Sequence, residues 1–259
     1  MLLEVKDLNI SLTSEKSVAE HISFRLGQGE MLSIVGSSGA GKTTICKAIM
    51  GLLGNTCRAA GEILFQGEDL LDLPERKRQT IYGKEICLIM QNPMTAFNPS
   101  IRVGRQMEKT YLLHHGKTPR QEMQRLFAAI LQKLGLEDTQ RILNSYPFTL
   151  SGGMLQRLMI AAALMCQPAL LVADEATTAI DACNRIGLMR ELKSFCKDGM
   201  SVLFVTHDLR SASVSDCILV MDRGQIVEQG KTEQILNTPK EDYTKYLLNA
   251  CRLERREMS

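Results

Sequence analysis

The sequence predicts an α/β fold, a mainly parallel sheet interrupted by an all-helical insertion, and three observations predict it. Short apolar runs at residues 31–35, 86–90, 170–173, 202–205 and 218–221 read as strands, the first being continuous enough to be buried on both faces. Gly36, Ser37, Ser38, Gly39, Ala40, Gly41, Lys42 and Thr43 follow that first run and match G-x-x-x-x-G-K-[ST], a phosphate-binding loop. Beyond Ile101 the apolar period becomes helical, and it stays so to about Leu134.

Taken in order, Leu8, Ile10 and Leu12 alternate with polar residues and suggest a half-exposed strand, and 22–26 repeats the pattern. After strand 31–35 and the loop, a helix is expected from about Lys42 to Leu53. Residues 61–65 read as a further strand, and 86–90 as a buried one ending at Gln91. Met123, Leu126, Phe127, Ile130, Leu131 and Leu134 form one apolar stripe, which predicts packing within the helical insertion. Helices follow at about 152–166 and 184–195. Asp222, Arg223, Gly224 and Gln225 signal a hairpin. The insertion is placed at roughly 92–160.

Composition sets bounds. At 259 residues, 44% of them hydrophobic, the chain can bury the core of one large domain or of a core with a subdomain. The 31 basic and 29 acidic residues leave a net charge of +2, so no nucleic-acid partner is expected. The basic cluster at 252–256 reads as a solvated tail. No apolar stretch reaches the roughly 20 residues that span a bilayer. The longest, 158–166, is broken by Gln167 and Pro168, and Glu4 and Lys6 argue against a secretory signal. The expectation is a soluble, intracellular protein. Its 8 cysteines have no C-x-x-C spacing, and Cys87, Cys166 and Cys217 fall inside apolar runs, so free thiols acting as small hydrophobes are expected. His114 and His115 read as a polar surface pair.

Two constellations carry chemistry. Glycines let backbone amides converge on a phosphate, and the helix that follows presents its positive end to the same charge. Lys42 would then reach the β- and γ-phosphates, the Thr43 hydroxyl would ligate Mg²⁺, and Thr44 would touch the α-phosphate. Downstream, Leu170, Leu171, Val172 and Ala173 end in Asp174 and Glu175. Adjacent carboxylates at the end of a buried strand suit a Mg²⁺ contact through water for Asp174 and a general base for Glu175.

Leu150, Ser151, Gly152, Gly153, Met154, Leu155, Gln156 and Arg157 resemble the signature of ATP-binding-cassette (ABC) ATPases. With the phosphate loop, the resemblance covers nearly the whole chain. It implies a P-loop NTPase core with an N-terminal antiparallel β subdomain and an inserted α-helical subdomain. The core and β subdomain would span 1–91 plus 161–236, the helical subdomain 92–160, and a helical tail 237–259. ATP and Mg²⁺ are the implied cofactors. ATP would lie between residues 36–44 of one subunit and Ser151, Gly152, Gly153 and Gln156 of another. The resemblance makes Gln91 the glutamine that senses Mg²⁺ and the attacking water. Asp181 becomes a dimer-crossing residue and His207 the switch that contacts the γ-phosphate. Ala176 stands where most relatives have proline. No aromatic occurs before Phe24, which reads as core, so Lys16 or a partner residue would cover adenine.

A narrower likeness is to peptide and nickel importers. It rests on Gln91, Asn92, Pro93, Met94, Thr95, Ala96, Phe97, Asn98 and Pro99; Ser145, Tyr146 and Pro147 with Met154 resemble its nickel and metallophore import branch, and residues 243–248 also fit this group. It implies a peripheral subunit on the cytoplasmic face of the membrane. The implied partners are a second ATPase subunit (a heterodimer preferred, a homodimer possible), two permease subunits and, indirectly, an extracytoplasmic binding protein. Nickel, cobalt or a metal–chelator complex is the first expected cargo and oligopeptide the second. A soluble, non-transport ABC ATPase is less favoured, because the chain has neither two cassettes nor a long coiled coil. Lys42, Gln91, Glu175 and His207 argue against a cassette without turnover.

Overall fold

The computed structural model describes residues 1–14, 16–176 and 182–257. Strands β1 (Leu3–Leu12) and β2 (Ser17–Leu26) open the chain. Next come β3 (Met31–Gly36), α1 (Lys42–Ile49), β4 (Cys57–Phe65), β5 (Glu68–Asp69), α2 (Glu75–Ile81) and β6 (Ile86–Ile89). The helical region holds α3 (Val103–His115), α4 (Arg120–Lys133), α5 (Thr139–Asn144) and α6 (Gly152–Leu164). The chain returns through β7 (Leu170–Asp174), α7 (Ala182–Cys196), β8 (Ser201–Thr206), α8 (Leu209–Ala212), β9 (Cys217–Asp222) and β10 (Gln225–Lys231). It ends in α9 (Thr232–Asn237) and α10 (Asp242–Glu257).

Two sheets result. One is antiparallel in the order β2-β1-β4-β5; the other runs β10-β9-β3-β8-β7-β6 and is parallel apart from its β10 edge. The apolar runs explain the second sheet. Helices cross over between parallel strands and cover both faces, so strands such as β3 and β8 are buried at every residue. The β9–β10 hairpin closes through Arg223 and Gly224, both in the left-handed region (φ 44 and 84), as a two-residue turn of this hand requires. That turn also touches its surroundings. The Gly224 amide donates to the Ala40 carbonyl at 3.2 Å, and the Glu20 amide donates to the Gly224 carbonyl at 2.8 Å.

Several boundaries differ from expectation for local reasons. α1 stops at Ile49, not Leu53, because Gly51 adopts φ 64 and its amide caps Ala48, a glycine stop. The helical stretch after Ile101 is two helices, broken where Gly116 turns left-handed (φ 70) and Pro119 precedes α4. β4 starts at Cys57, four residues before the expected strand, because β1 supplies a partner as far as Leu12. The α4 stripe is buried as its period requires: Met123, Phe127, Ile130, Leu131 and Leu134 lie inside, and Leu126 packs against the same cluster. Phe24 is core. The seven described cysteines are free thiols, four of them buried. His115 is not a plain surface residue; it is half-buried and stacks on Tyr111 at 4.4 Å.

Register sets the site. Ile89 pairs with Ala173, Asp174 with Val205, and Val35 with Thr206. The C-terminal ends of β6, β7, β8 and β3 are therefore level, and the segment after each reaches the same edge of the sheet. Open parallel sheets place ligands outside that edge.

Candidate active site

The loop after β3 is built for close approach. A Cβ on Gly36 would lie 2.2 Å from the Met221 carbonyl oxygen. Gly41 caps α1 at φ 95, and a Cβ there would lie 2.7 Å from the Val18 carbonyl oxygen. Neither position has room for a side chain. Among the described residues, no protein acceptor meets the amides of Ser38, Gly39, Gly41, Lys42 and Thr43. They form a concave set of donors at the positive end of α1. Lys42 is only 5% exposed. Its ammonium donates to the carbonyls of Gly36 and Ser37 at 2.9 and 2.8 Å, so it folds back over its own loop. Burial lowers its pKa, and the nearby Glu175 and Asp174 carboxylates oppose that shift.

β7 delivers the carboxylates. Thr43 Oγ1 donates to Asp174 Oδ1 at 3.1 Å, which ties the first turn of α1 to the end of β7. Burial raises the Asp174 pKa, the Thr43 bond lowers it, and the neighbouring Glu175 raises it further. Glu175 sits in the left-handed region at φ 49, an uncommon conformation for a residue with a side chain. Its amide donates to the Val205 carbonyl at 2.9 Å. Its two oxygens face different partners: Gln91 Nε2 donates to Oε2 at 2.8 Å, and His207 Nδ1 lies 3.4 Å from Oε1. Gln91 leaves the end of β6 and His207 the end of β8, so level strand ends bring together three residues far apart in sequence. Arg185 of α7 pairs with Asp208 at 3.2 Å beside His207.

Val18, Ser38, Gly39, Gly41, Lys42, Thr43, Thr44 and Glu175 line an open cleft of about 280 Å³. Ser151, Gly152 and Gly153 do not line it. Ser151 is exposed at the tip of α6, where its hydroxyl accepts from the Met154 amide at 3.2 Å. Gln156, grouped with them on sequence, is fully buried, and its amide donates to the Ala176 carbonyl. It braces the turn after Glu175 from below and is not presented beside Ser151. Asp181 lies outside the described residues.

A loop of free amides, a paired lysine, and carboxylates reached from three strand ends define a nucleotide site, and comparison with known proteins agrees. Residues 19–178 match the profile of the ABC transporter family. This chain belongs to the ABC transporter family. It is 40% identical over 251 residues to the metal-staphylopine import system ATP-binding protein CntD of Staphylococcus aureus, covering 96% of this chain and 92% of that one. It is 41% identical over 256 residues to the oligopeptide transport ATP-binding protein OppD of Bacillus subtilis, covering 95% and 71%. Among solved structures it superposes on the ATP-binding cassette MJ0796, a dimer in a post-hydrolysis state bound to ADP and Pi. The TM-score is 0.78 at 26% identity, over 89% of this chain and 99% of that one. The ABC ATPase fold and activity expected from the motifs are thus the family's own. Among the described residues, no helix is long and apolar enough to cross a membrane.

Sequence reasoning missed three features of this ABC ATPase. Val18, and not Lys16, lines the cleft, and an isolated valine in a strand carries no signal. The Glu175 backbone conformation has no sequence marker. Tyr243 of α10 reaches the phosphate loop across more than 200 residues, accepting from the Ser37 amide at 3.0 Å.

Proposed function

We propose that this chain is the ATP-hydrolysing subunit of an ABC importer and that its active site is completed by a second ATPase subunit. One observation carries the proposal. The ends of β3, β6, β7 and β8 converge on one cleft in which Thr43 meets Asp174, and Glu175 meets both Gln91 and His207. Residues 36–44 bind the triphosphate, with backbone amides on its oxygens and Lys42 turned from its own carbonyls onto the β- and γ-phosphates. Glu175 draws a proton from the attacking water, Gln91 and His207 fix its orientation, and His207 faces the γ-phosphate. Gln156 acts at one remove, by holding the Ala176 carbonyl.

A Thr43 hydroxyl and an Asp174 carboxylate 3.1 Å apart suit Mg²⁺, which binds few protein oxygens and fills its shell with water and phosphate. Gln91 would complete that surround. When bound, Mg²⁺ neutralises charge on the transferring phosphoryl group.

Ser151, Gly152 and Gly153 do not line their own cleft, and the tip of α6 presents a hydroxyl and the positive helix end. Docked on a partner's cleft, with Asp181 at the seam, they close over the γ-phosphate. Loss of that phosphate on hydrolysis loosens the clamp, and the motion passes to two permease subunits and, through them, to an extracytoplasmic binding protein. The proposed place is the cytoplasmic face of the membrane. A core of 1–91 plus 161–236, a helical part of 92–160 and a tail of 237–259 divide these tasks. Uptake of a metal–chelator complex is supported by the likeness to CntD together with Met154 and residues 145–147. Oligopeptide uptake is the second reading and is favoured by the likeness to OppD.

Glu175→Gln tests the scheme. It should stop turnover while ATP binding persists, and the ATP-bound variant should run as a dimer by light scattering. Hydrolysis at the parent rate would remove Glu175 from the role of base.

A further inference from the structure

The Gly36–Ser37 peptide is held at both edges. On one edge its carbonyl, that of Gly36, accepts from the Lys42 ammonium at 2.9 Å. On the other its amide, that of Ser37, donates to the Tyr243 hydroxyl at 3.0 Å. The two restraints differ in kind. Lys42 is the group that turns toward the triphosphate when nucleotide enters, so its hold on the Gly36 carbonyl is spent on binding. The tyrosine bond lies on the far side of the loop and needs no rearrangement.

Tyr243 is itself firmly placed. Its side chain packs, with Leu247, Leu248 and Cys251 of α10, against the buried cluster that Val35 of β3 forms with Leu209 and Ala212 of α8, Ile218 and Val220 of β9 and Ile235 of α9. Glu228 accepts from the amides of Lys240 and Glu241, which fixes the start of α10, and Arg210 of α8 donates to the Cys251 carbonyl farther along. The helix thus runs from the phosphate loop to the short helix that follows His207.

We infer that Tyr243 is a positioning residue for ATP: its hydroxyl keeps the Gly36–Ser37 peptide oriented after Lys42 has let go, so that the Gly36 carbonyl stays turned from the incoming phosphates. Without it the amide edge of the peptide loses that partner, and only the pairing of Gly36 with Met221 in the β3–β9 ladder still restrains its rotation. A carbonyl dipole aimed at the triphosphate repels it, and the donor set of the loop loses its shape. The C-terminal helix becomes part of the nucleotide site, although none of its described residues lines the cleft.

The inference rests on the loop being the ATP site, and two variants of the full chain keep the questions apart. Lys42→Ala tests the loop: unchanged ATP binding would break that reading by itself. Tyr243→Phe keeps the packed ring and removes only the hydroxyl. The net worth of one hydrogen bond predicts a KM for MgATP raised about two- to tenfold, with a matching loss in the affinity of a fluorescent ATP analogue. The kcat should stay within about twofold and the Tm of the nucleotide-free protein should hold, since the bond matters most once Lys42 has moved. Tyr246→Phe, on the exposed side of the same helix, should leave KM unchanged. A parental KM in Tyr243→Phe overturns the inference. So does a fall in Tm or kcat without a change in KM, because a merely structural role would give that result.

Discussion

Asp174 and Glu175 are neighbours in sequence with opposite circumstances. The Glu175 backbone is held left-handed, a conformation that costs about 1–3 kcal/mol and persists where the surroundings over-determine it. Here the bond from its amide to Val205 and the level ends of β7 and β8 do so. The Asp174 strain is electrostatic. Its folded-state pKa is raised above 3.8, so the folded protein holds that proton more tightly than the unfolded chain does. This contribution to stability is full below the ordinary carboxyl pKa and is lost as pH rises through the raised value. At neutral pH the charged Asp174 therefore weighs against the fold. Asp174→Asn keeps an acceptor for Thr43 and removes the charge. Its Tm without nucleotide should exceed the parent's at pH 7, and the difference should shrink as the buffer is acidified, while ATPase activity is lost. A lower Tm at pH 7 would contradict this trade of stability for function.

At the scale of elements, the chemistry-bearing motifs were legible because each sits at a junction with a strong signature. Apolar runs announced β3, β6, β7 and β8, and their C-terminal residues could be read off in turn. Boundaries were less legible where a partner decides them: β4 gains residues because β1 lies beside it, and nothing between Cys57 and Gly61 says so. Gln156 shows the limit of motif reading, since five residues past Ser151 carry the chain from the exposed tip to the core. That tip has two separable duties. Ser151 caps α6, and its hydroxyl is proposed to meet a partner's γ-phosphate. Ser151→Ala should cost about 1 kcal/mol of stability as a lost cap and should also weaken the ATP-bound dimer. Ser151→Asp keeps the cap, so stability should hold, but its charge would repel the phosphate and abolish the dimer. Dimer formation by Ser151→Asp equal to that of the parent would separate α6 from the nucleotide.

For the whole molecule, the order of the larger sheet brings residues 36, 91, 175 and 207 to one edge, yet leaves residues 151–153 off the cleft. An active site shared between subunits makes hydrolysis depend on encounter. Specific activity of the purified chain should rise with protein concentration at saturating MgATP and level off as dimers saturate. Activity per chain that is independent of dilution would place the complete site in one polypeptide. The contact from α10 to the phosphate loop was illegible for a related reason: it joins residues 206 positions apart, and no local pattern encodes so distant a hydrogen bond.

The turn at Gly224 has a mechanical consequence. It grips Ala40 on one side and Glu20 on the other, so the small antiparallel layer, the large layer and the loop are riveted at a single point. Sliding one layer over the other would shear that rivet and deform the bed on which phosphate rests. The two layers must travel together as a rigid anvil.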